Sequence, residues 1–241
     1  MRNPPRRLAA AMESIAALSQ WSEGQALYHE RDPAISVYRV VTGAVRKCAL
    51  LADGRRQILD FLLPGDLFGF GAHNAHRYLV EVIVDGTTIA RYPRREIEKL
   101  AESDPEVGRA IRETAFESIT RLQRRLVLLG QTHALERVSA FLLEMADRSS
   151  AQGGDATFLP MSRYDIADYL GVAVETVSRA LTKLRCCGAV EFDGARLVHI
   201  RDRRALELGG EKAAWTEALG RQAAAQRAGN GARNLAMHGA S

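Results

Sequence analysis

The stretch PMSRYDIADYLGVAVETVSRALTKLRCCG, Pro160 to Gly188, leaves the chain little choice of local structure. Ser162 stands where it can cap a helix, and Asp165 three residues on can answer it as in a capping box. Ile166, Ala167 and Leu170 give that helix an apolar side. Gly171 supplies the left-handed residue of a sharp turn, and Val172 fills the angle before a second helix that starts near Val174. At about 100° per residue, Val177, Leu181 and Leu184 share one side of the second helix, while Glu175, Ser178, Arg179 and Thr182 share the other. One side is core and the other is free. A carboxylate, a hydroxyl and a guanidinium within about one turn are the groups that read base edges in a major groove. A solvated i, i+4 pair of Glu175 with Arg179 would account for those charges alone. It leaves unexplained the capped first helix, the turn glycine and the hairpin VEFDGARLVHI, Val190 to Ile200, with its Asp193-Gly194 turn. Together these features predict a winged helix-turn-helix. Its DNA-contacting side chains are expected to be Ser162, Arg163, Val174, Glu175, Thr176, Ser178, Arg179, Thr182, Lys183 and, just past the hairpin tip, Arg196.

Upstream the pattern changes. Ser36 to Val41, Ala44 to Leu51, Arg56 to Leu63, Val80 to Val84 and Thr87 to Tyr92 read as strands, separated by Gly43, Asp53-Gly54, Pro64-Gly65-Asp66 and Asp85-Gly86. Short strands at roughly ten-residue intervals predict an antiparallel barrel or sandwich over residues 21–103, and no repeat of 20 to 50 residues competes with that reading. From Ser103 to Gly130, Val107, Ile111, Ala115, Ile119, Leu122, Leu126 and Leu129 recur at spacings of three or four, with Ser103 or Asp104 as cap and Pro105 in the first turn. This is one helix of about 38 Å at 1.5 Å per residue. Part of its stripe lies on the strands. The half beyond Ile119, flanked by Arg121, Arg124 and Arg125, suits pairing with its twin, and residues 104–130 are read as a dimerisation helix. His133 to Ser149 reads as an amphipathic helix with Val138, Phe141, Leu142 and Met145 inward, and Ser149 to Ala156 as a linker. The fold class is α+β: an N-terminal arm or short helix (1–20), a β-roll (21–103), the dimerisation helix (104–130), the winged helix-turn-helix (131–208) and an alanine- and glycine-rich tail (209–241).

With 241 residues, 46% of them hydrophobic, the chain can bury a real core. A net charge of +4 fits a polyanion partner. Position says more than the sum, since Arg179, Lys183, Arg185, Arg196, Arg201, Arg203 and Arg204 gather in and after the helix-turn-helix. Three cysteines, Cys48, Cys186 and Cys187, argue against a disulfide framework and for a reducing compartment. No apolar run reaches the roughly 18 residues that cross a bilayer, and Glu13 and Ser14 interrupt the apolar region of the N-terminus. The expected location is the cytoplasm. No nucleophile with its base, Walker loop or metalloenzyme spacing is evident, so no enzymatic activity is expected.

The segment VVTGAVRKCALLADGRRQILDFLLPGDLFGF, Val40 to Phe70, resembles the β-roll of the CRP/FNR superfamily of bacterial transcription regulators. With the winged helix the resemblance covers roughly Trp21 to Arg204. LLADGRRQILDFLLPGDLFGF together with ERVSAFLLEMADR, Glu136 to Arg148, is similar to the FixK-like members of its FNR branch. The resemblance implies that the long helix forms a homodimer through Ile111, Ala115, Ile119, Leu122, Leu126 and Leu129. Two recognition helices about 34 Å apart then enter successive major grooves of an inverted repeat. VETVSR, Val174 to Arg179, resembles the E-x-x-S-R signature that implies TTGA-type half-sites, and activation through RNA polymerase is the implied outcome.

Superfamily members that take cyclic nucleotides place a glutamate after the glycine of the G-D-x-x-G run and follow an arginine with Ser or Thr. Here those positions hold Phe70 and Arg77-Tyr78, so no cyclic nucleotide and no cofactor is expected. An iron-sulfur cluster normally needs four thiolates. His73 and His76 offer a haem or metal H-x-x-H with no second ligand pair nearby. A haem-, gas- or small-ligand-gated regulator is the alternative function, and a cyclic-nucleotide-binding regulatory subunit of an enzyme the more distant one. Cys186 and Cys187 directly follow the recognition helix, where Lys183 and Arg185 can lower a thiol pKa and oxidation would disturb phosphate contact. The plainer reading packs one of them beside Leu184 and leaves the other exposed.

Overall fold

The computed structural model describes residues 12–71, 74–130, 133–149 and 156–209. Eight strands form the roll: β1 (Ala17–Trp21), β2 (Ala26–Tyr28), β3 (Ser36–Thr42), β4 (Val45–Leu50), β5 (Arg56–Leu62), β6 (Leu67–Phe68), β7 (Leu79–Val82) and β8 (Thr87–Pro93). They make two antiparallel sheets, ordered β1-β8-β3-β6 and β2-β7-β4-β5. Alternation along each strand decides which side chains meet. Val40, Ile89 and Phe68 of one sheet and Tyr28, Val45, Leu62, Val80 and Val82 of the other form a single buried cluster between them. Val37, Ala90 and Tyr92 point the opposite way into a second cluster with Met12, Leu67, Ile97, Val107 and Ala110. The β3–β4 turn needs Gly43: its φ is 80°, and a Cβ there would lie 2.1 Å from Thr87 Oγ1.

Two helices cover the second cluster. The first, α1 (Arg94–Ser103), buries Ile97, and α2 (Pro105–Leu129) starts behind Asp104, whose carboxylate accepts from the Glu106 amide at 2.9 Å. Of the two caps open to the sequence, Asp104 is the one used. The arm drawn as residues 1–20 requires correction, because Ala17 to Gln20 pair with Arg91 to Thr88 as an edge strand of the roll. Once β8 offers a free edge, extended pairing outweighs the helical pattern of a short alanine-rich segment. Residues 1–11, most of the expected linker and the tail beyond Gly209 lie outside the described residues.

The chain divides into two compact units, Met1–Gly130 with Phe158–Val174, and Gln131–Thr157 with Glu175–Ser241. The division runs through the helix-turn-helix. Its first helix, α4 (Arg163–Leu170), packs on β5 in the unit of the roll. The other unit holds α3 (Ala134–Ser149), α5 (Val174–Cys186) from Glu175 onward, and α6 (Arg203–Glu207), which packs on α3 and is capped by Asp202. Val138, Phe141, Leu142 and Met145 of α3 are buried as expected. The hairpin β10 (Val190–Asp193) and β11 (Leu197–Ile200) pairs Val190 with Ile200 and Asp193 with Leu197, and β9 (Ala156–Phe158) completes the sheet order β10-β11-β9.

Candidate nucleic-acid interface

In the unit of the roll, α4 is fixed at both ends by its own sequence. The Ser162 hydroxyl accepts from the Asp165 amide at 3.1 Å, and Asp165 Oδ2 accepts from the Ser162 amide at 3.0 Å and its hydroxyl at 2.7 Å. Gly171 ends the helix at φ 63°, ψ 41°, the left-handed geometry that the turn demands. Ser162 and Arg163 are exposed at the helix start. So is Tyr164, which the sequence reading does not single out; its signal is an aromatic ring at an outward position of a capped helix.

In the second unit, α5 buries Val177, Ala180, Leu181 and Leu184 and exposes Glu175, Arg179, Thr182 and Lys183, with Thr176 and Ser178 half-buried. Among the described residues Glu175 and Arg179 form no ion pair or side-chain hydrogen bond with each other or with anything else, so the i, i+4 explanation of their charges fails. The Thr182 hydroxyl donates back to the Ser178 carbonyl at 2.9 Å. Arg196 is exposed at the hairpin tip. Two of the expected phosphate-facing arginines are engaged elsewhere: Arg201 Nη2 lies 2.7 Å from Glu191 across the wing, and Arg203 Nη2 lies 2.8 Å from Asp147 of α3. Their neighbouring carboxylates oppose attraction of a phosphate. Cys186 is exposed, whereas Cys187 is half-buried with its thiol donating to the Leu184 carbonyl at 3.3 Å.

The long helix presents two different sides. Val107, Gly108 and Ala110 are buried, and Ile111, expected on the dimer face, packs instead against the cluster of Tyr92 and Ile97 because the first third of the helix still lies on the roll. Further along, Ile119, Leu122 and Leu126 are exposed, as is Ala115, and the exposed Phe116 and Val127 widen the apolar band along one of its edges. Leu129 is half-buried, with its methyl 3.9 Å from where a Cβ on Gly171 would be. Arg125, read from sequence as a flank of that band, is buried.

The roll encloses a cavity of about 250 Å³ lined by Tyr28, Lys47, Gly69, Phe70, His76, Arg77 and Tyr78 among others. Phe70 and Tyr78, which occupy the positions of the nucleotide-binding pair in the resemblance above, both line it. Burial depresses the Lys47 pKa, partly offset by Asp60 and reinforced by Arg121. His76 is buried and stacked on Tyr28, with centroids 3.6 Å apart. Burial lowers its pKa. His73 lies outside the described residues, and no group of three or more His, Cys, Asp or Glu among the described residues is arranged to hold a metal ion.

Comparison with known proteins agrees with this geometry. Residues 136–208 match the Crp-like helix-turn-helix domain and residues 18–104 the cyclic nucleotide-binding domain. The chain is 40% identical over 205 residues to the nitrogen fixation regulation protein FixK of Azorhizobium caulinodans, covering 84% of this chain and 81% of that one. It is 37% identical to the transcriptional activatory protein AadR of Rhodopseudomonas palustris, covering 71% and 72% respectively. The structure of FixK2 from Bradyrhizobium japonicum superimposes with a TM-score of 0.75 at 42% identity, covering 80% of this chain and 96% of that one.

Proposed function

We propose, for a chain that belongs to the CRP/FNR family of transcription regulators and within it to the FixK-like members, that two copies pair through α2 and read an inverted repeat of TTGA-type half-sites. The coarser statement needs no proposal: the chain is a DNA-binding transcription regulator and not an enzyme. The observation that carries the finer reading is the bare polar face of α5, where Glu175 and Arg179 are exposed and unpaired beside a fully buried apolar face. An arginine so placed donates two hydrogen bonds to O6 and N7 of a guanine. Glu175 accepts from the N4 amine of a cytosine on the other strand, Ser178 contacts a thymine, and Val174 offers a methyl surface to another. Ser162, Arg163, Thr176, Thr182, Lys183 and Arg196 supply contacts that set register on the backbone.

The apolar band from Ala115 and Phe116 to Leu126 and Val127 is left exposed by the described residues of the protomer and suits a second copy of the same helix. Relatives such as AadR act as activators, which supports contact with RNA polymerase and activation in the cytoplasm. No helix among the described residues is long and apolar enough to cross a membrane. Phe70 and Tyr78 stand at the two positions where nucleotide-binding members of the superfamily place their ligand-holding pair, which supports a signal other than a cyclic nucleotide.

Replacing Arg179 tests the reading. In a gel shift, Arg179→Ala abolishes preference for TTGAT-N4-ATCAA over random duplex and leaves salt-sensitive nonspecific binding in place. Each bidentate contact contributes about 1 to 3 kcal/mol of discrimination, and the dimer makes it twice. An unchanged ratio of specific to nonspecific affinity refutes the assignment.

A further inference from the structure

Three arginines of the roll unit grip the first helix of the helix-turn-helix, and the reading of DNA uses none of them. Arg46 on β4 donates through Nη1 to Asp165 Oδ1 at 2.6 Å and through Nε and Nη2 to Glu81 Oε2 at 3.0 and 2.8 Å. Arg56 on β5 holds Nη2 3.6 Å from Asp165 and 3.7 Å from Asp168, and Nη1 3.5 Å from Glu81. From α2, the buried Arg125 donates to the Leu59 carbonyl at 2.6 Å and the Tyr169 carbonyl at 3.2 Å, and also to the Ile58 carbonyl. Its guanidinium lies 4.5 Å from the centre of the Tyr169 ring. Gln57 adds a bond to the Asp168 carbonyl at 2.6 Å.

The strand is shaped for this grip. Lys47 pairs with Asp60 but Cys48 pairs with Ile58, so Leu59 is the extra residue of a bulge in β5. Such an unpaired residue frees backbone carbonyls from the ladder, and Arg125 takes those of Ile58 and Leu59. Asp165 serves two ends at once: Oδ2 closes the capping box with Ser162, and Oδ1 receives Arg46. The carboxylate that starts α4 is therefore also the one that ties it to the roll.

Ionic contacts this dry contribute orientation more dependably than net stability, since desolvation offsets much of their attraction. The grip falls on Asp165, Asp168 and Tyr169, while Ser162, Arg163 and Tyr164 stay exposed. It orients the helix without covering its outward start. We propose that Arg46, Arg56 and Arg125 are positioning residues for DNA recognition, fixing α4 to the β4–β5 hairpin and to the end of α2, so that the orientation of this helix is set by the roll. The proposal rests on the DNA-binding reading above.

The test is a double-mutant cycle of Arg46→Met and Asp165→Asn in the full-length dimer, with Arg46→Lys as the conservative variant and the milder Arg56→Met as a second probe. Affinity for the inverted repeat and for random duplex is measured at several salt concentrations, hydrogen exchange is followed in α4, and sedimentation checks the dimer. Arg46→Met is expected to weaken specific binding by about ten- to a hundredfold, the usual size of coupling between distant groups. The salt slope stays unchanged, because no phosphate contact is lost. The amides of α4 exchange faster, Arg56→Met weakens specific binding in the same sense, Arg46→Lys recovers part of the loss, and Asp165→Asn adds little to Arg46→Met. Specific affinity that is unchanged or raised in Arg46→Met and Arg56→Met overturns the clamp, as do fully additive losses. A parent protein with no preference for the inverted repeat overturns the DNA reading itself, which is a separate result.

Discussion

Substituting Leu126 with glutamate separates the stability of the protomer from that of the dimer. Leu126 is 70% exposed on α2, so the change disturbs little within one copy, and glutamate has nearly the helix propensity of leucine. The protomer should change by no more than about 0.5 kcal/mol, as for other exposed positions. Burying a whole leucine contributes about 1.5 to 3 kcal/mol, of which about 1 to 2 remain to be gained on pairing. Two-fold symmetry counts that loss twice, and two carboxylates entering one apolar seam add to it. The dimer is expected to weaken by about 3 to 5 kcal/mol, a rise of about 100- to 4,000-fold in its Kd. Sedimentation equilibrium over a wide concentration range reads this directly, with circular dichroism as the check on the fold. Ile35→Glu is the control: that side chain is 72% exposed on the roll, and its replacement should leave dimerisation alone. A Leu126→Glu protein that is folded and dimerises within threefold of the parent refutes the assignment of this band to the subunit interface.

Two further outcomes are expected. If the cysteines beside the recognition helix report oxidation, the double variant Cys186→Ser, Cys187→Ser keeps DNA binding in peroxide that inhibits the parent; equal sensitivity of both proteins discards the idea. Cys48 offers no competing site, since it is buried and its thiol pKa is pushed up to about 11 by burial. Gly43→Ala should cost about 3 kcal/mol or more, because the left-handed backbone and the collision with Thr87 act together, and thermal melting should show the loss; a melt within two degrees of the parent contradicts the geometry drawn for the β3–β4 turn.

The strands from Ser36 to Leu62 and the helices from Pro105 to Cys186 were legible because each carries its own period and its own stop signal. Asp104, Ser162 with Asp165, and Gly171 are local instructions, answered by backbone groups within a few residues. The exposed polar face of α5 was legible for the same reason: a helix of known phase places Glu175 and Arg179 opposite Val177, Leu181 and Leu184 without help from the rest of the chain. The short strands β2 and β6 were not, since two or three residues hold no readable period and take their form from the neighbours they pair with. Ala17 to Trp21 shows this most plainly, being strand only because β8 lies beside it.

The amino-acid sequence by itself determined the helix-turn-helix, its bare polar face and the strand-rich domain before it, because periodicity and capping are short-range physics. Only the tertiary structure decided that Ile111 faces the roll and that Arg201 and Arg203 are held by carboxylates. It alone turned Arg125 from a surface flank into a buried grip on two carbonyls of a bulged strand. Those assignments depend on partners dozens of residues away, and an arginine has the same character in a sequence whether its guanidinium meets water, phosphate or the inside of its own protein.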